Sequence, residues 1–246
     1  MKRVAVAVLA LVIVSGSACT KSGDTKALAE RGQANAQLNL GYMYDTGKGV
    51  AQNDAEAVKW YQRAADQGLA LAQLNLGNMY ATGRGIAQND AEAMKWYQRA
   101  ADQGLALAQG AIGFMYDTGR GIAQNDAEAV KWYQRAADQG LALAQGTLGA
   151  MYAKGRGVPQ NDVEAVKWYR RAAEQGGPQA QFDIGLMYAT GQGVAQNDVQ
   201  AYKWWNLAAA QGNQNAKTQK AIVEKKMTRE QIADAQKLSA EWKPTR

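Results

Sequence analysis

The chain contains no histidine among its 246 residues. That absence removes the side chain best suited to proton transfer near neutral pH and the commonest metal ligand, which excludes Ser-His-Asp and Cys-His catalysis and histidine-based zinc sites. A single cysteine, Cys19, cannot form an internal disulfide or a thiolate metal cage. There is no Ser-x-x-Lys to supply an activated serine. The repeated Asn-Asp pairs lack the multi-carboxylate loop and closing Glu of a calcium site, so they read as helix caps. Charge is nearly balanced: the formal net charge is +6, of which Lys2 and Arg3 account for two, leaving +4 on the rest. So small an excess describes a solvated surface rather than a nucleic-acid footprint. No catalytic residue, metal ligand or cofactor is assigned.

Residues 1–18 have the build of an export signal. Lys2 and Arg3 are the positive start, Val4 to Val14 an apolar run too short to span a bilayer comfortably, and Ser15 to Ala18 a small-residue cleavage region. Cys19 directly after Gly16-Ser17-Ala18 resembles the lipobox of bacterial lipoproteins, with Gly16 where an apolar residue usually stands. The resemblance implies acylation of Cys19 and a membrane-anchored, periplasmic location, Thr20 favouring the outer membrane. A secreted protein with an incidental cysteine is the other reading. Thr20 to Thr25 would then be a polar tether, within a lead-in over 19–31.

What the chain has in abundance is self-similarity. Trp60, Trp96, Trp132, Trp168 and Trp204 recur every 36 residues, as do Asp54, Asp90, Asp126, Asp162 and Asp198, and two series of glycines beginning at Gly41 and Gly68. A fixed period of this size marks a solenoid whose units bury their apolar faces by stacking. Five units follow, 32–67, 68–103, 104–139, 140–175 and 176–211, and then a cap over 212–246. Within the first, Ala36, Leu40 and Tyr44 give a helix A over about 34–46, ended by Gly47 and Gly49. Asn53 or Asp54 caps helix B, with Glu56 placed for a capping box, and Ala57, Trp60, Tyr61, Ala64 and Ala65 form its apolar face. The five tryptophans are assigned to the structural core. In the cap, Lys220 and Glu224 replace the apolar residues of helix A, and Thr228 with Gln231 opens a last helix striped by Ile232, Ala235, Leu238 and Trp242.

The pattern Ala36, Leu40-Gly41, Tyr44, Gly47, Gly49-Val50, Asp54, Ala57, Trp60, Ala64-Ala65 and Gly68 resembles the Sel-one-like repeat, a relative of the tetratricopeptide repeat. The resemblance implies an all-α, right-handed solenoid of antiparallel helix pairs with the A helices lining a concave side. It also implies an adaptor role, since family members mainly gather partner proteins, many of them in the bacterial envelope.

Positions that differ between units locate the candidate site. At 100° per residue Leu38, Asn39, Tyr42 and Asp45 fall within an arc of about 120° opposite the packed stripe. Along the units this arc offers Asn39, Tyr42, Asn75, Asn78, Phe114, Thr147, Asp183 and Leu186 as partner-binding residues, with Gly110, Ala111, Gly146 and Ala150 leaving its middle bare. Drift between duplicated units explains the same differences without function. Lys48, Arg84, Arg120 and Arg156 form a candidate positive edge, broken at Gln192.

The leading functional reading is a non-enzymatic envelope scaffold that binds a protein partner in the concave groove. Its versions include an assembly factor, a sensor regulator, a host-binding factor and an immunity protein that blocks a toxin. A second class is a β-lactam-interacting or hydrolytic secreted repeat protein, against which stands the lack of the cysteine pairs such relatives carry. Recognition of cell-wall glycan through Tyr42, Phe114 and the arginine edge is a third.

Overall fold

The computed structural model describes residues 22–245, whose regular elements are all α-helices. The export segment and Cys19 lie outside them. The chain divides between Gln124 and Asn125 into two compact units. The first holds α1 (Ser22–Glu30), α2 (Ala34–Thr46), α3 (Asp54–Asp66), α4 (Ala70–Thr82), α5 (Asp90–Asp102) and α6 (Ala106–Thr118). The second holds α7 (Asp126–Asp138), α8 (Ala142–Lys154), α9 (Asp162–Glu174), α10 (Pro178–Thr190), α11 (Asp198–Ala210), α12 (Gln214–Glu224) and α13 (Arg229–Glu241). In each unit successive helices pack as antiparallel pairs, helix A then helix B, stacked on the pair before.

Local chemistry sets the ends of these helices. Every A helix from α2 to α10 stops at a glycine in the left-handed conformation, as at Gly47 with φ 73°. Asn53 rather than Asp54 caps α3, its side chain accepting the Glu56 N–H at 3.1 Å, and its counterparts do the same. The reciprocal bond expected from Glu56 does not form: the Asn53 N–H donates to the Tyr44 carbonyl at 2.9 Å, and the Glu56 carboxylate takes Lys59 at 2.6 Å. The capping box expected at Thr228 and Gln231 is present.

Helix A approaches helix B closely at one glycine per pair. A Cβ on Gly77 would lie 2.6 Å from the Tyr97 ring, and one on Gly185 as close to the Trp205 indole. The tryptophans pack on the other side of helix B: Trp60 on Ala29, Ala36 and Leu40, and Trp204 on Ala180 and Ile184. Trp60, Trp96, Trp168 and Trp204 are buried and Trp132 is half-buried. Arg63 stacks over Trp60 at 4.5 Å, a pairing repeated at Arg99, Arg135 and Arg171; in the fifth pair Lys203 covers Trp204.

A buried glutamine on each A helix links the pairs. Gln73 donates to the Ala65 carbonyl of the preceding helix B at 3.2 Å and accepts from Gln103 of the following one at 2.8 Å. Gln37, Gln145 and Gln181 repeat this arrangement. The reason is the helix end itself: the last carbonyls of helix B lack helical partners, and a buried donor satisfies one of them. Gln37 finds its carbonyl on Ala29, so α1 takes the place of a preceding helix B. Ser22–Glu30 is therefore a helix with Ala29 buried, where the composition of Thr20 to Thr25 suggests a tether. At the other end Ala216 and Ala235 are buried in a small core shared by α11, α12 and α13, and Trp242 meets Trp204 edge-on at 6.4 Å.

Candidate functional site

The arginines of the candidate positive edge are consumed in stacking. Arg84 donates to the Asp54 carboxylate at 2.8 and 3.3 Å, and its guanidinium also pairs with Asp45. Arg120 does the same to Asp90 and to the Ala81 carbonyl, and Arg156 to Asp126. The next residue is a glycine with positive φ because the loop backbone lies against the start of that helix: a Cβ on Gly85 would sit 2.2 Å from the Asp54 carbonyl oxygen. Arginine and glycine together clasp the first residue of the previous helix B. Lys48, with no repeat before it, instead donates to the Tyr42 hydroxyl at 3.2 Å. The row of free positive charge expected from spacing is thus a set of internal ion pairs, and Gln192 marks the clasp that has lost its cation.

Asp54 shows the consequence. Its hydrogen bond from Arg84 holds the carboxyl below the ordinary aspartate range, against the opposing effect of burial. A carboxyl so lowered contributes stability above its unfolded pKa, which is lost as the pH falls through the folded value. Arg84→Gln, which copies Gln192, should cost about 1 kcal/mol at low ionic strength and less in high salt. Urea denaturation at two salt concentrations measures both.

The A-helix arc is partly as expected. Asn39 is exposed; Tyr42, Asn75, Asn78, Phe114, Thr147 and Asp183 are half-buried; Leu186 is 38% exposed. Leu38 and Leu74, placed on the arc by angle, are buried, Leu38 in a core built from α3 and α4. A helix in a stack touches neighbours on both sides, so its packed stripe is wider than a single face. Asn78 is also committed, accepting the Tyr97 hydroxyl at 2.8 Å. With Asp45, Asn75, Met79, Thr82 and Arg84 it lines a cavity of about 10 Å³, space for one water and nothing larger. Thr147 bonds its own helix at the Leu143 carbonyl.

Asp183 stands apart from the other arc residues. Burial pushes its carboxyl up to about 6, against a hydrogen bond from Gln179 at 3.0 Å and the charge of Lys154. A raised carboxyl favours the fold fully below its unfolded pKa, and that contribution is lost as the pH rises through about 6. Asp183→Asn should therefore stabilise the protein by about 1–2 kcal/mol near neutral pH and change little in acid, a difference that thermal melts across pH would show.

Among the described residues no group of three or more His, Cys, Asp or Glu side chains is placed to hold a metal ion, and no helix is long and apolar enough to cross a membrane. The profile of the Sel1 repeat matches residues 34–69, 70–105, 106–141, 142–177 and 178–213. The chain belongs to the Sel1 repeat family. Its fold is the all-α, helix-turn-helix repeat architecture of that family. The family profile frames each Sel1 repeat two residues later than the periodic glycines suggest, starting at helix A. A Sel1 repeat protein from Oxalobacter formigenes is 32% identical over 90% of this chain and 96% of its own, with a TM-score of 0.75. Two immunity proteins from Pseudomonas aeruginosa, each 21% identical, share the fold: one over 77% of this chain and 72% of its own at TM-score 0.51. The other does so over 93% and 89% at TM-score 0.52. No curated protein matches the chain.

Two structural devices of this Sel1 repeat chain escape a reading of one repeat at a time. The glutamine at position 37 and its equivalents was visible as a near-constant polar residue inside an apolar stripe, which is the signal of a satisfied buried amide. The Arg84–Asp54 clasp was visible as two series in step, thirty residues apart.

Proposed function

We propose that the chain binds one protein partner on the A-helix face, and that neutralising a toxin is the form of this activity to test first. One observation carries the reading. The recurring arginines and buried glutamines are spent on stacking and the recurring asparagines on caps, whereas the A-helix arc differs from repeat to repeat and is partly open: Asn39 and Leu186 are exposed, and Thr147 and Asp183 are half-buried. Such a face, presented by rigid helices, suits recognition of another folded surface. The two immunity proteins that share the fold favour the toxin-neutralising form; an envelope adaptor is the other form of the same activity. Export and acylation at Cys19 would put it where either is needed, and loss of labelled fatty acid from a Cys19→Ser chain would test the anchor.

Affinity capture from the native cell with the wild type, with Asn39→Trp and with Leu186→Arg tests the surface. A protein held by the wild type and lost from either variant supports the reading, and one held equally by all three removes it from the A-helix face. Growth arrest by that protein alone, relieved by this chain, would establish neutralisation; a captured protein without toxicity would leave the adaptor.

A further inference from the structure

In the first unit the tyrosine that packs against the helix A glycine always finds a partner for its hydroxyl. Tyr61 donates to Asp45 at 3.2 Å and Tyr97 to Asn78 at 2.8 Å. In the second unit the equivalent Tyr169 lies on Gly149, but Ala153 and Ala150 occupy the places of Asp45 and Asn78. Among the described residues the Tyr169 hydroxyl has no hydrogen-bond partner, and because no buried polar atom is left unsatisfied it must open to solvent. The aspartate whose charge it feels is Asp183, on the next A helix.

That aspartate sits where the first unit has Asn75, beside the clasp arginine Arg84; here the clasp residue is the neutral Gln192. A carboxylate has thus been gained at the junction where the cation was lost. Its one hydrogen bond comes from Gln179, and the charged group facing it is Lys154 at the exposed end of α8. Burial raises the Asp183 carboxyl, so these two do not fully offset the loss of water. Two apolar residues lie on the same helices, half-buried Ala150 on α8 and exposed Leu186 one turn along α10.

We propose that Asp183 and Tyr169 form a socket for the ammonium or guanidinium group of a lysine or arginine on a partner protein, whose apolar flank rests on Ala150 and Leu186. This rests on the A-helix face being the binding surface. The chemistry favours a cation: an undercompensated carboxylate and a hydroxyl oxygen near it both accept hydrogen bonds, and a cationic donor supplies the opposite charge as well, which a neutral donor does not. The small side chains of α8 leave room for the incoming chain.

Selection of a displayed library of random peptides on the purified chain tests it. Recovered peptides should carry a lysine or arginine, lose about tenfold or more in affinity for Asp183→Asn, and lose about threefold for Tyr169→Phe. Asp183→Asn keeps the side-chain shape and can still accept from Gln179, so circular dichroism should match the wild type. Peptides that bind Asp183→Asn unchanged but fail on Thr147→Trp would overturn the socket and leave the A-helix face intact. Peptides indifferent to both variants would overturn the socket and the A-helix reading together, and recovery of none would overturn the socket.

Discussion

Gln181→Glu will cost about 3–5 kcal/mol of stability near neutral pH, the largest loss expected from so small a change. Gln181 is completely buried, donates to the Ala173 carbonyl at 3.2 Å and accepts from Gln211 at 2.9 Å. Glutamate keeps the acceptor but loses the donor, and turns a charge toward a carbonyl oxygen inside the stack. Its carboxyl will be raised well above the ordinary value of about 4.3, since burial and the facing carbonyl both disfavour ionisation. The sign follows: stability close to the wild type below the unfolded pKa, lost as the pH rises through the folded one, because the protonated acid again offers an O–H to Ala173. Urea denaturation across the acid range measures this. A loss independent of pH would mean that the side chain is not held by the Ala173 carbonyl.

Trp204→Ala is expected to cost about 3–5 kcal/mol as well, through a different cause. The ring is only 4% exposed, fills the space over Ala180 and Ile184, and is covered by Lys203, whose amine is lowered by burial there. It also holds the end of the chain. Trp242 packs against it, and beyond Trp242 the Thr245 N–H donates to the Glu174 carbonyl at 2.8 Å. In a stack stabilised by nearest neighbours, loss at the last pair should free this end first. Hydrogen exchange should accelerate at Thr245 and through α13 while amides of α2 to α5 stay protected. Uniform acceleration would show one cooperative block instead.

Trp204 and Gln181 differ in how readily their roles are read from the sequence. Trp204 announces itself by period and by helical spacing from Ala201 and Ala208, so its burial follows from a single unit. Gln181 does not, because an amide on an apolar stripe is explained only by the carbonyl it meets, eight residues back across a turn. Arg84 is harder still: its exposed loop position and regular recurrence describe a charged edge, and only the stacked neighbour supplies Asp54 and Asp45. Leu38 lies on the arc by angle yet is buried, since a helical wheel knows one helix and a repeat stack supplies two more. Asn78 reads as free by angle and is bound to Tyr97 in fact.

The sequence by itself determined the period, the helical class, the left-handed glycines at the ends of the A helices and a cap at each Asn-Asp pair. These depend on contacts within a few residues and on the steric freedom of glycine, which act before any packing exists. The tertiary structure alone decided which polar groups are consumed by stacking and which stay available. Tyr61 and Asp45 are 16 residues apart, Arg84 and Asp54 30. At such separations a hydrogen bond depends on how one helix pair settles on the next, and at Tyr169 and Asp183 that settling leaves an acceptor pair open.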